Sequence, residues 1–187
     1  MIHSLRFTCV LDTNVIYPID IRDLLFWFAF YDLFTPKWSK HIFSEWENVL
    51  RRKEIPEEEI KKRTSKAQRA FPDALVENYE SLVDSLTLPD EKDRHVLAAA
   101  IKTNANVIVT NNLEDFPNDY LSGFGLTAKT ADDFLTDTID LNNELAIEAF
   151  RSLVLNRTNP DIDEFEILDR FRKNGLVATA NYLHALL

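Results

Sequence analysis

Apolar residues fall along this chain in two rhythms. Residues 7–11 (Phe-Thr-Cys-Val-Leu) and 106–110 (Asn-Val-Ile-Val-Thr) are short, β-rich runs that stop abruptly, at Asp12 and at Asn111-Asn112. Such uninterrupted runs predict strands buried on both faces, as in a parallel sheet. Weaker runs at 33–36, 85–88 and 126–129 predict further strands. The stretches between them predict helices. Residues 19–31 are strongly apolar. Residues 39–52 carry Ile42, Trp46, Val49 and Leu50 near helical spacing, and residues 93–102 carry Val96, Leu97, Ala100 and Ile101 on one face. Strands alternating with helices predict an α/β fold around a central parallel sheet.

Two regions leave that rhythm. Residues 51–81 are polar and helical in composition, broken by Pro56 and Pro72. From Ala131 onward the chain reads as helices only. Thr158-Asn159-Pro160 carries a helix-start signal, Ile162, Phe165, Leu168 and Phe171 a following stripe, and Gly175 fits the position just past a helix end. The expected division is a domain over 1–135, with a polar helical insertion at about 51–81, and a C-terminal helical extension over 136–187 packed on that domain or on a partner. Leu25, Phe26, Trp27, Phe28 and Phe30 read first as core. A helix apolar all round also suits a dimer or partner contact.

Charge and composition narrow the chemistry. The chain has 31 acidic and 21 basic residues, a formal charge of −10, which excludes a generic basic nucleic-acid-binding domain. Its three glycines form neither G-x-G-x-x-G nor a Walker A loop. Cys9 is alone, so an intramolecular disulfide and a cysteine-based zinc site are excluded. His3, His41, His95 and His184 include no i,i+4 pair and no H-E-x-x-H. A bound metal is therefore expected to be held by oxygen, which points to magnesium or manganese rather than zinc. The longest apolar run, 24–31, is too short for a membrane span, and the first residues lack a signal-peptide pattern. The expected location is cytoplasmic, with no membrane partner.

The placing of acids is the most informative feature. Asp12 directly follows the first strand, where an open parallel sheet binds ligands. Asp115 comes shortly after the second strong strand, Asp93 opens the helix before it, and Glu45 lies in the helix after the second candidate strand. Each has a plainer role: Asp12 as a turn residue or cap, Asp93 as an N-cap in competition with Asp90, Glu45 as a solvated helix residue beside Glu47, and Asp115 in a turn before Phe116-Pro117. Together they can meet at one sheet edge. Four such carboxylates repel one another unless a cation neutralises them, and a divalent cation held there activates water for phosphodiester hydrolysis.

Leu11-Asp12-Thr13-Asn14-Val15, Glu45 in its helix, Asp93-Arg94-His95-Val96-Leu97-Ala98-Ala99-Ala100, and Val109-Thr110-Asn111-Asn112-Leu113-Glu114-Asp115-Phe116 resemble, in this order, the motifs of PIN-domain ribonucleases. The resemblance spans roughly residues 5–135. It implies a three-layer α/β/α fold and magnesium- or manganese-dependent cleavage of RNA. It also implies a catalytic, metal-holding quartet of Asp12, Glu45, Asp93 and Asp115, supported by Thr110, Asn112 and Asn14. Many members, the VapC-like enzymes among them, are toxins of type II toxin–antitoxin pairs, each inhibited by a small antitoxin protein. The polar insertion and the C-terminal helices are additions to the compact toxin form.

The charge is unevenly spread. Residues 51–69 hold eight basic residues against four acidic ones. Arg51, Arg52, Lys53, Lys61, Lys62 and Arg63 are therefore candidate RNA contacts, although a solvated helix laced with Glu–Lys pairs gives the same pattern. Residues 132–148 hold six acids and no base, a face for solvent or for a basic partner. His95 is the nearest acid–base group, but a structural role at its helix start suits it better. Two other readings remain open here. A phosphoacceptor receiver-like domain could use Lys129, but lacks an acidic pair before the first helix. A non-catalytic PIN-like scaffold binding RNA or a partner would be marked by a missing acid, and all four acids are present.

Overall fold

The computed structural model describes residues 7–157 and 162–187. In chain order they form β1 (Thr8–Leu11), α1 (Thr13–Ile16), α2 (Ile19–Phe30), β2 (Thr35–Ser39), α3 (Lys40–Arg52), α4 (Glu57–Ala70), β3 (Leu75–Val76), α5 (Glu80–Val83), α6 (Arg94–Lys102), β4 (Val107–Val109), α7 (Asn118–Leu121) and β5 (Thr127–Lys129). Four helices follow: α8 (Ala131–Leu141), α9 (Asn143–Leu155), α10 (Glu164–Lys173) and α11 (Val177–Leu186). Two compact units result. One holds the residues up to 17 with 35–129, and the other holds 18–34 with those from 130 onward.

The first unit carries a five-stranded, wholly parallel sheet in the order β3-β2-β1-β4-β5. With its flanking helices it gives the expected α/β/α class. The order fixes where a site can be. The chain moves outward from β1 through β2 to β3, then returns to the other side of β1 for β4 and β5. The reversal puts the topological switch point, where open parallel sheets bind ligands, at the carboxyl ends of β1 and β4. Register sets these ends level: Leu11 pairs with Val109, and the Asp12 N–H donates to the Val109 carbonyl at 3.1 Å. Cys9, Val10, Leu11, Ile108 and Val109 are fully buried, as the continuous apolar runs require.

Two expectations are corrected. Residues 85–88 form no strand; Leu86 and Leu88 are buried from a loop. The strand beside β2 is instead β3, inside the segment expected to be helical. Pro72 starts a 3-10 turn after α4, and Leu75-Val76 then pair with Trp38 and Ser39. Two residues are too few to show a run or an alternation. Trp38, fully buried on β2, stacks on Phe43 of α3 at 5.3 Å and meets the edge of Phe71, just past α4, at 5.8 Å.

The second unit is helical. Leu24, Leu25 and Phe28 of α2 are fully buried, so the apolar run is in large part core, while Phe30 is 63% exposed. Asp20, buried at the start of α2, accepts from Arg157 at 3.1 Å and from Asn174 at 3.0 Å, and pairs with Arg170 at 3.2 Å. Asp132 accepts from the backbone N–H of Ala178 and Thr179 at 2.9 and 2.8 Å, capping the first turn of α11. That acid of the 132–148 run is thus occupied within the unit. The Thr158-Asn159-Pro160 signal lies outside the described residues. The α10 helix begins at a capping box of Asp163 and Glu166, and its buried stripe is Ile167, Leu168 and Phe171, with Phe165 exposed. Gly175 takes the left-handed conformation, φ +89°, just past α10, as its position predicts. Among the described residues no helix is long and apolar enough to cross a membrane.

Candidate active site

Asp12 stands at the switch point with its carboxylate fixed from three sides. One oxygen accepts from the Thr13 N–H at 2.6 Å. The other accepts from Asn14 Nδ2 at 2.7 Å and from the Thr110 hydroxyl at 2.8 Å. Thr110 is completely buried and immediately follows β4, so strand register alone brings it beside Asp12. Asn14 Nδ2 lies 2.9 Å from Thr110 Oγ1, and Asn14 Oδ1 accepts from the Asn111 N–H at 2.9 Å. These bonds link the two strand ends. Burial pushes the Asp12 carboxyl above its ordinary range, and the bonds from Thr110 and Thr13 oppose that rise.

Glu45 reaches the same edge from α3, whose start is capped by Ser39 through a bond to the Ile42 N–H. Thr13 Oγ1 donates to Glu45 Oε2 at 2.6 Å, and His95 Nε2 lies 3.3 Å from Oε1. Burial acts to raise the Glu45 carboxyl. The bonds from His95 and Thr13 outweigh it and hold the group below its usual value. Neither Thr13 nor His41 was a candidate from sequence, yet both belong to this cluster: His41 Nε2 is 3.7 Å from Glu45 Oε1, and its ring stacks on His95. Burial, then the charge of His95, pushes His41 below its ordinary value. The i,i+4 spacing of His41 and Glu45 was the available signal for His41. Thr13 gave no signal, because its contact with Glu45 spans 32 residues.

Asp93 precedes α6 without capping it, since its side chain accepts no bond from the helix start. Asp90 caps the preceding 3-10 turn, Glu91–Asp93, accepting from the Lys92 N–H at 2.9 Å. The plainer role for Asp93 is thereby removed. Carboxylate oxygens of Asp90, Asp93 and Asp115 lie within 4.8 Å of one another. Burial, followed by the charges of Asp12, Asp115 and Asp90, pushes the Asp93 carboxyl up to about 7. Asn112 donates to Asp115 Oδ2. The four acids singled out in the sequence thus occupy one edge: Asp12 feels the charge of Glu45 on one side, and Asp93 that of Asp12 and Asp115 on the other. A set of hard oxygen donors this close fits a divalent cation of the magnesium or manganese class.

Several basic residues at 51–63 are paired. Arg51 bonds Glu57 and Glu47, Arg63 bonds Glu59 at 3.0 Å, Lys62 lies 3.9 Å from Glu59, and the Lys53 ammonium sits 4.9 Å over the Tyr17 ring. Arg52 and Lys61 are exposed.

Comparison with known proteins agrees with this geometry. A family model described as PIN domain matches residues 8–114, more than half of the chain. A second, described as VapC50 C-terminal domain, matches residues 131–185. A protein of Mycobacterium tuberculosis named "Putative ribonuclease VapC50" is 35% identical over 106 residues, covering 57% of this chain and 62% of that protein. This chain therefore aligns with less than two thirds of that relative's length. No solved structure matches. With acids at the switch point of a parallel sheet and the family model matching more than half of the chain, from β1 to the residue before Asp115, the chain belongs to the PIN-domain family.

Proposed function

We propose that this protein is a metal-dependent endoribonuclease, with Asp12, Glu45, Asp93 and Asp115 as its catalytic quartet and Thr110, Asn112 and Asn14 as supports. The observation that carries this reading is the placing of Asp93: a carboxyl that caps nothing, with an oxygen within 4.8 Å of those of Asp90 and Asp115, and pushed up to about 7 by burial first and then by the charges of Asp12, Asp115 and Asp90. Carboxylates are held together at such a cost where their joint charge has a use. The name of the VapC50 relative supports ribonuclease chemistry.

Magnesium or manganese, when bound by these acids, would supply an activated water and a counter-charge for the phosphodiester. The chain's own residues prepare that site. Thr13, Asn14 and Thr110 fix both oxygens of Asp12, so its direction is set before substrate arrives. Thr13 and His95 hold the two oxygens of Glu45 in its charged form. Asn112 orients Asp115. Hydrolysis adds water across one P–O bond and needs no covalent side-chain intermediate. RNA approaches past Arg52 and Lys61, and Arg51, Lys53, Lys62 and Arg63 join it by exchanging their present partners.

The match to the VapC50 C-terminal domain supports a toxin of a toxin–antitoxin pair, acting in the cytoplasm and restrained by a small antitoxin protein, with Ile19 and Phe30, the exposed apolar residues of α2, available for that contact or for a homodimer. Purified protein incubated with labelled RNA should cleave it with Mg2+ or Mn2+ and not with EDTA. Asp12→Asn and Asp93→Asn should abolish cleavage, and wild-type rates in either variant would falsify the site. Induced expression should arrest growth, Asp12→Asn should relieve the arrest, and co-expression of a neighbouring small gene should restore growth.

A further inference from the structure

The histidines are far apart in sequence, and the fold brings two of them to one carboxylate. One donor atom from each of His41, Glu45 and His95 falls within a 4.8 Å group. His95 Nε2 and His41 Nε2 stand 3.3 and 3.7 Å from Glu45 Oε1. Donors around a tetrahedral zinc ion, each about 2.0–2.2 Å from the metal, lie about 3.4 Å apart. The two separations to Glu45 are therefore close to the edges of such a polyhedron, and the donor atoms of the two rings lie within 4.8 Å of each other. The chemistry also differs from that of the Asp90, Asp93 and Asp115 group, which offers oxygen alone. Two imidazoles and one carboxylate favour zinc, cobalt or nickel over magnesium.

Independent observations point the same way. His95 is 3% exposed, and its Nδ1 has no hydrogen-bond partner, so the polar engagement of this buried ring lies on the Glu45 side. Thr13 holds the second oxygen of Glu45 and leaves Oε1 directed at the two rings. The rings are nearly parallel, 5° apart with centroids at 3.8 Å. Two parallel rings cannot both hold one ion in their planes, so one must turn. His41, with its side chain 54% exposed, is free to do so, whereas His95 is packed.

We propose that His41, Glu45 and His95 form a binding site for a zinc-class transition-metal ion, separate in ligand chemistry from the carboxylate centre and joined to it through Glu45. Occupation ties Glu45 to the histidines and withdraws it from the carboxylate centre, which makes zinc an inhibitor of RNA cleavage; this consequence rests on the proposed role of Glu45, while the binding itself does not.

The test is a calorimetric titration with Zn2+ alone and an absorption titration with Co2+, each on wild type, His41→Ala, His95→Gln and Asp93→Asn, after circular dichroism has shown each variant folded. Wild type and Asp93→Asn should bind one zinc and give the visible bands of nitrogen-ligated, low-coordinate Co2+. His41→Ala should lose at least tenfold in affinity and lose the bands. Equal zinc affinity in wild type and His41→Ala overturns the proposal, as does binding that vanishes in Asp93→Asn but survives in His41→Ala. If the protein cleaves RNA with manganese, zinc should inhibit wild type and spare His41→Ala. Absence of cleavage with intact zinc binding removes the nuclease reading alone. Cleavage without histidine-dependent zinc binding removes this proposal alone.

Discussion

Thr110 shows how much one side chain carries at this edge. It is fully buried, donates to Asp12, and accepts from the Asn112 N–H at 3.1 Å. Thr110→Val keeps the shape and removes the hydroxyl, leaving one Asp12 oxygen with fewer donors and the Asn112 N–H unpaired. Cleavage should fall by ~10–100-fold, as for other partners that orient metal-holding groups, and chemical denaturation should show a loss of about 1–3 kcal/mol. Asp93 gives a pH signature. Burial, then the charges of Asp12, Asp115 and Asp90, pushes its folded carboxyl up to about 7, well above the ordinary aspartate range, so the folded state holds a proton that the unfolded state releases. Its contribution to stability is complete below the unfolded value and is lost as pH rises through about 7. In EDTA, the difference in melting temperature between wild type and Asp93→Asn should therefore shift against wild type between pH 5 and pH 8. A flat difference would remove the electrostatic account of this site.

At the scale of elements, scarcity of glycine has a visible cost. The α3 helix closes with the Ile55 N–H returning to the Leu50 carbonyl, and Glu54 takes the left-handed position at φ 57°. The α6 helix closes likewise, with Asn104 at φ 49°. Glutamate is ill suited to that conformation, which costs about 1–2 kcal/mol for a residue with a Cβ. Glu54→Gly should raise stability by ~0.5–1 kcal/mol, after allowance for the extra entropy of glycine in the unfolded chain, as measured by urea denaturation. In the helical unit, Asp20 is the acid that holds Arg157, Arg170 and Asn174 to the start of α2. Asp20→Ala should cost about 1–3 kcal/mol, because the buried carboxylate's charge-assisted bonds are lost while Arg157, Arg170 and Asn174 can turn to solvent, and hydrogen exchange should quicken in α2 and α10 together. Loss of protection in α10 alone would contradict that account.

For the whole molecule, the charge of −10 and the proposed RNA substrate are compatible because the charges are segregated. Acids concentrate at the sheet edge and within the helical unit, where Asp20 and Asp132 serve structure. Basic residues gather at 51–69, yet Arg51, Lys62 and Arg63 already have acidic partners. Few cations are thus immediately available to phosphate. RNA affinity should depend weakly on salt, with a slope of ~0.7 for each phosphate neutralised. Arg52→Glu and Lys61→Glu should each weaken binding and lower that slope by about 0.7, read by fluorescence anisotropy from low to high salt.

The fold class was legible because two apolar runs, 7–11 and 106–110, are dense enough that burial on both faces is their one stable outcome. Asp12, Asp93 and Asp115 were legible because each sits at a break in such a run or at a helix boundary, where position along the chain also fixes position at the sheet edge; Glu45, inside α3, carries no such mark. Tertiary structure decided what depends on residues remote in sequence. It paired Leu75-Val76 with β2, a partnership too short to leave a pattern. It set Thr13 against Glu45 and Thr110 against Asp12, contacts made by hydroxyls that are ordinary turn and strand residues in sequence. It also stacked His41 on His95, so a chain with no local histidine pair acquired a nitrogen-bearing cluster. Periodicity records which face of an element is buried; which element it meets is settled only when the sheet order closes.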